Sequence, residues 1–199
     1  MKRVLTIVLV WLFFPATVLG QTTTYVVQPG DSMWKIAVKY QVGLSEIINA
    51  NPQVENPRLI YPNQKLNIPG VGQDIRAAEK EVIRLCNIER QKNGLKPLVE
   101  NWELSRVARI KSQDMAQKNY FSHTSPTYGS PFTMLTNFGI TYRSAGENIA
   151  KGQRSAQEVV KSWMASAGHR QNILNPNFTE IGVGLEQAEY HWTQLFIQK

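Results

Sequence analysis

A break poor in side chains, Gly70-Val71-Gly72-Gln73, separates a short strand-like stretch ending in IPG from a long helical pattern that begins at Asp74. Such a segment has little to pack and is too flexible to hold regular structure, so two folding units are expected, 24–69 and 74–199, joined by 70–73. The single cysteine, Cys86, allows neither an internal disulfide nor a Cys/His zinc site. Each unit must therefore stand on its own apolar core. With 42% hydrophobic and 19% charged residues, the composition is that of a chain that buries one.

Residues 1–20 read as a secretory signal: MKR gives a positive start, VLTIVLVWLFF an apolar run, and PATVLG a helix-breaking end with small residues before Gln21. The run from Val4 to Phe14 is shorter than the ~20 residues a hydrocarbon layer requires, so no stable membrane span is expected after its removal. Loss of Lys2 and Arg3 lowers the formal charge from +7 to +5. An exported chain without a usable disulfide points to a Gram-positive style bacterial exterior. Lysine and arginine are scattered without a basic cluster, so nucleic acid is not an expected partner, and attraction to anionic wall polymers fits better.

In the first unit TYVV alternates like a strand, PGDS turns the chain, and Asp31 or Ser32 can cap a helix through MWKIAVKY. Gly43 breaks that helix, LSEIINAN starts a second with Ser45 near its beginning, and KLNIP returns as a strand, giving β-α-α-β. A unit this small buries little, and its core is expected on Val26, Trp34 or Ile36, Ala37, Leu44, Ile47, Ile48, Leu66 and Ile68.

The second unit opens with a helix carrying Ile75, Ala78, Val82, Leu85 and Ile88 at steps of three and four, stopped near Asn93-Gly94. Cys86 lies on this helix as a small apolar filler. Asn101 can cap a helix from Trp102 to about Asn119, Ser130-Pro131 opens a short one closed by Gly139, and Ser155 with Glu158 forms a capping box. HRQNILNP suggests a further helical turn, and EIGVGLEQ with EYHWTQLFIQ forms an antiparallel hairpin. Helices first and strands last predict an α+β fold in which helices cover an antiparallel sheet.

The segments YVVQPGDSMWKIAVKY, LSEIINANPQ and NPRLIYPNQKLNIP resemble a LysM module over nearly its whole length. The resemblance implies binding of N-acetylglucosamine-containing glycan, peptidoglycan or chitin, in a shallow groove between two loops. Carried onto this chain, one loop is Gly30, Asp31, Ser32 and Met33, and the other is Leu59, Ile60, Tyr61, Pro62 and Asn63. An N-acetyl sugar needs apolar surface for its methyl and ring faces and backbone amides for its hydroxyls, and Met33, Ile60 and Tyr61 could offer the former. The same loop residues also serve the turn and the helix cap. A single module should bind weakly, with other contacts adding strength.

Five further segments, NIERQKNGLKPL, FSHTSP, AGENIA, VVKSWMASAGHRQNILNPNFTEIGVG and YHWTQLF, together resemble a bacterial CAP domain of the cysteine-rich secretory and pathogenesis-related superfamily. That implies an α-β-α sandwich with a cleft lined by two histidines and two acids, falling on His123, Glu147 and His191. The fourth position departs from the pattern: Ser166 stands where plant and animal members have glutamate, His169 is the nearest group that could fill the gap, and Glu180 is another neighbour. Imidazole and carboxylate converging on an open cleft suit a divalent cation, zinc first. The alternative is that each histidine ties a loop to the sheet by hydrogen bonds.

The expected function is that of a secreted, cell-wall-associated protein. Its LysM module holds glycan, and its His/Glu cleft takes a divalent metal, a small ligand or a partner without necessarily turning it over. Two alternatives remain open: a wall or peptide hydrolase using Glu147 and His123 as acid and base, and a structural component of an envelope or spore layer. No serine stands in a G-x-S-x-G elbow.

Overall fold

The computed structural model describes residues 22–199; the expected export signal lies outside the described residues. In the small unit β1 (Thr22–Val26) pairs antiparallel with β2 (Lys65–Pro69), and α1 (Met33–Tyr40) and α2 (Leu44–Ala50) lie between them in sequence. Gly30 turns the chain at φ 84°, and the Ser32 hydroxyl accepts the Lys35 N–H at 3.2 Å, which fixes the start of α1. The cap of α2 is Gly43 and not Ser45: the Gly43 N–H donates to the Glu46 carboxylate at 2.8 Å, satisfying an amide the helix leaves open.

The core of this unit is Val27, Met33, Ile36, Ala37, Val42, Ile47, Val54, Leu66 and Ile68. Two expected members face outward instead: Val26 is 40% and Trp34 58% exposed. Met33, Ile36 and Ala37 stand at i, i+3 and i+4 and make the buried stripe of α1, and Trp34 falls off it. On the strand side one step of register exchanges Val26 for Val27.

The larger unit runs α3 (Gln73–Lys92), β3 (Val99–Glu100), α4 (Trp102–Gln117), α5 (Pro131–Asn137), β4 (Ser144–Lys151), α6 (Ala156–Ala165), α7 (Ala167–Ile173), β5 (Glu180–Glu186) and β6 (His191–Gln198). The sheet order is β3-β5-β6-β4. It is antiparallel except at one edge, where β3 lies parallel to β5. Strands therefore interleave with helices instead of following them. β3 is two residues long and carries no period, and β4 reads SAGENIAK, with Gly146 and Asn148 diluting the strand signal. Helix ends follow the expected chemistry: Asn101 accepts from the Glu103 and Leu104 amides, and Ser130 from the Thr133 amide. Ser155 caps α6 through the Glu158 amide, but the Glu158 carboxylate accepts from the Arg154 N–H, one residue outside a true capping box.

Strand alternation sends the two faces of the sheet to different helices. Gly182, Gly184, Thr193 and Leu195 face α4, where Leu104, Val107 and Ala108 join Met134 and Leu135 of α5 in one core. Val183, Leu185, Trp192 and Phe196 face Val82 and Cys86 of α3 and Val159 and Trp163 of α6. The result is an α-β-α sandwich whose cores share no residue with that of the small unit.

Two arginines of the larger unit reach the small one. Arg106 Nε donates to Glu46 Oε1 at 2.7 Å while its guanidinium lies 5.2 Å from the centre of the Phe138 ring. Arg76 reaches Gln41 Oε1 at 3.3 Å and the Tyr40 carbonyl at 3.4 Å. A Cβ at Gly43 would meet the Arg106 guanidinium, so a side chain there would push that arginine aside.

Candidate functional site

Two of the four expected cleft residues meet. Glu147 lies on β4, the edge strand, buried beneath the loop that follows α4, and its Oε1 is 2.7 Å from Nδ1 of His123 on that loop. The Glu147 side chain is 3% exposed and that of His123 53%, so a sequestered carboxylate orients a half-open imidazole. Nδ1 is spent on Glu147, which leaves Nε2 as the ring nitrogen for a ligand.

The loop is held from below by α4. Lys111, 1% exposed, donates to the Ser122 carbonyl at 2.8 Å, the His123 carbonyl at 3.0 Å and the Tyr120 hydroxyl at 3.1 Å. One turn on, Asp114 accepts from Tyr120 and Ser125 at 2.6 Å each and from Thr127 at 2.5 Å. These two buried charges hold both flanks of His123.

On the opposite sheet face Asn148, fully buried, donates to the His169 carbonyl at 3.1 Å and to Gln194 Oε1 at 3.0 Å. Asn172 of α7 donates to the Glu147 carbonyl at 3.1 Å and to Asn148 Oδ1 at 2.8 Å. Gln194 continues the chain to Cys86 Sγ at 3.1 Å. The thiol is pushed up to about 12 by burial, which makes it inert packing.

Burial pushes Glu147 above the usual carboxylate range, against the pull of His123 and Lys111. The hydrogen bond His123 donates to Glu147 raises His123 above its ordinary 6.5, and burial opposes it. His169 is lowered, first by burial and then by the charge of His123, which places it as a neighbour of the pair and not a member. A histidine raised in the folded state contributes stability that is present below its unfolded value, near 6.5, and is lost as pH rises through the folded one. In an NMR titration His123 should therefore titrate above 6.5, and Glu147→Gln should bring it down; an unchanged midpoint would show that the contact is absent in solution.

His191 is not brought to this pair. It opens β6 opposite Lys151, four residues from Leu195, which faces Glu147, and that is about 13 Å along the strand. It is 1% exposed and packs at 6.4 Å against the Phe121 ring. Its Nδ1 lies 3.6 Å from Glu186, beyond hydrogen-bond reach, and neither ring nitrogen has a hydrogen-bond partner among the described residues. Burial lowers its pKa. Ser166 ends α6, and Glu180 accepts from Asn101 at 2.7 Å, away from the cleft. Among the described residues no three His, Cys, Asp or Glu side chains gather as a metal would need. The expected zinc set of His123, Glu147, His169 and His191 is not gathered among the described residues: strand register holds His191 away from Glu147, and His169 stands beside the pair without joining it.

In the small unit a hollow of about 510 Å³ is lined by Ser32, Met33, Trp34, Leu44, Ile48 and the stretch 56–58. Ser32 and Met33 are where the resemblance put them. Gly30 and Asp31 shape the loop, Asp31 accepting from Tyr25 Oη at 2.7 Å and from the Gln28 amide at 2.8 Å. Asn56, Pro57 and Arg58 complete this hollow, and the expected loop Leu59, Ile60, Tyr61, Pro62 and Asn63 follows directly on them in the chain. Of those five, Ile60 packs on the core, Leu59 and Tyr61 are exposed, and Asn63 turns the chain at φ 70°.

The cysteine-rich secretory protein family (CAP) model matches residues 83–198, and the LysM domain model matches 25–69. The uncharacterized protein YkwD of Bacillus subtilis (strain 168) is 63% identical over 125 residues, 63% of this chain and 49% of that protein. The crystal structure of an extracellular protein containing a SCP domain from Bacillus anthracis superposes with a TM-score of 0.61 at 34% identity, covering 69% of this chain and 47% of that one. The N-acetylmuramoyl-L-alanine amidase sle1 of Staphylococcus aureus (strain USA300) is 38% identical over 55 residues, 28% of this chain and 16% of that protein. The chain thus spans about half the length of YkwD and of the anthracis protein, and less of the amidase.

Proposed function

Because the chain belongs to the cysteine-rich secretory protein family and carries a LysM domain ahead of that domain, we propose that it is a secreted, cell-wall-associated protein. The LysM domain holds N-acetylglucosamine-containing glycan of peptidoglycan, and the CAP domain presents His123 above Glu147 to a second ligand. The observation that carries the glycan half is the hollow between α1, α2 and the stretch 56–58: Met33, Trp34, Leu44 and Ile48 offer apolar surface to sugar faces, and Ser32, Asn56 and Arg58 supply polar atoms at its rim. The amidase that shares this module is a wall enzyme by its name.

The two domains have separate cores, so residues 73–199 can be made alone. Co-sedimentation with purified peptidoglycan should pellet the full chain and leave the shortened one in solution. Equal pelleting of the two would remove the glycan role of the LysM domain.

A second reading is favoured by the dyad itself. A half-exposed imidazole oriented at 2.7 Å by a buried carboxylate is the arrangement of a general acid or base. Under it, Nε2 of His123 exchanges a proton with a bound group while Glu147 stabilises the imidazolium. Soluble fragments released from wall substrate by the full chain, and lost in Glu147→Gln, would establish turnover; release unaffected by that substitution would assign the dyad to binding.

A further inference from the structure

A second hollow of about 540 Å³ lies at the seam between the domains. The LysM domain contributes Trp34, Leu44 and Ser45 to it, and the CAP domain contributes Trp102, Phe138 and Asn137 among others. Trp34 and Leu44 also line the LysM hollow, so the two cavities adjoin at one side-chain pair. Trp34 is 58% exposed, the residue that leaves the α1 core stripe, and it stands between the two hollows with both of them on its surface.

We propose that the seam is a second glycan subsite: a single N-acetylated sugar chain leaves the LysM hollow, crosses Trp34 and continues against Trp102 and Phe138 of the CAP domain. The inference rests on the glycan reading of the LysM domain and extends it across the boundary. The seam has the chemistry such a chain requires. Indole and phenyl surfaces suit the apolar faces of pyranose rings, and Ser45, Asn137 and Glu103 bring hydroxyl, amide and carboxylate groups for sugar hydroxyls and N-acetyl N–H. The Glu46 to Arg106 bond at 2.7 Å, with the Arg106 guanidinium 5.2 Å from the Phe138 ring centre, brings the CAP wall up to the LysM wall, so both faces of the site stand together without a ligand. A continuous two-domain track also raises the affinity of a module that alone binds weakly.

Titration calorimetry of the full chain with the N-acetylglucosamine tetramer and octamer tests this. The octamer should bind the native chain more tightly, and Trp102→Ala should weaken the octamer by about tenfold, the loss of one aromatic anchor, while leaving the tetramer unchanged. Trp102 is partly buried at the start of α4, so Asn137→Arg, an exposed position at the rim, serves as the second variant and should give the same selective loss. Thermal melting confirms that each variant is folded. Equal affinity of the native chain for the two oligomers, or octamer binding untouched by Asn137→Arg, overturns the seam subsite and leaves the LysM reading standing. Failure of both oligomers to bind the native chain overturns the two together.

Discussion

Gly184→Ala should unfold the CAP domain or cost it at least ~3 kcal/mol, the upper part of what overpacking exacts. A Cβ at Gly184 would collide with the backbone of Ala108 and Arg109 on α4, and one at Gly182 with the backbone of Leu104 and Ser105. Neither obstacle is a side chain able to swing aside. Both glycines lie on the same face of β5, one turn of α4 apart, so the helix lies directly on the strand. Side groups bond across that contact: the Val183 N–H donates to Ser105 Oγ at 3.2 Å, and the Ser112 hydroxyl reaches the Gly184 carbonyl at 3.0 Å. Because α4 also carries Lys111 and Asp114, any shift of the helix moves the loop that bears His123. Denaturant unfolding of the full chain, followed by CAP-domain tryptophans, measures the effect. A loss below ~1 kcal/mol would mean that the helix does not rest on the strand.

The second large effect is expected at Arg90. Its guanidinium is 1% exposed and faces carbonyls instead of a carboxylate: Lys96 at 2.8 Å, Ile173 and Asn175 at 2.8 Å, and Phe178 at 3.5 Å. It gathers the end of α3, the end of α7 and the approach to β5 around one fork. Arg90→Met keeps much of the volume and strips the donors from several buried acceptors, each worth ~1–3 kcal/mol when left unmet, so a total loss of ~3 kcal/mol or more is expected. Arg90→Lys should recover little, since one ammonium on a flexible stem cannot span acceptors that the planar fork holds apart. Near-native stability in Arg90→Met would show that water replaces the guanidinium there.

These sites also mark how far the sequence alone could be read. The LysM elements were legible because their signals are local: Ser32 caps three residues ahead, Gly30 turns, and KLNIP is a strand by composition. Helices α3 and α4 announced themselves by period and by Asn93-Gly94 and Asn101. What stayed hidden depends on partners distant in sequence. Arg90 meets Ile173, Glu147 meets His123, and Asn148 meets Gln194, and no window of a dozen residues contains any of these pairs. His123 and Glu147 were reachable only through family resemblance, and the same route put His191 in the cleft, where strand register does not bring it. Lys111 and Asp114 drew no expectation at all, because nothing near them in sequence reveals the loop that folds back to take their bonds.

The Glu46 carboxylate accepts at once from the Gly43 amide at its own helix start and from Arg106 across the boundary. The LysM domain is therefore not an interchangeable cassette. A homologous module grafted in its place would keep its fold and its hollow, yet without an acid at this position it would lose the Arg106 bond and keep toward the CAP domain only what Arg76 can reach.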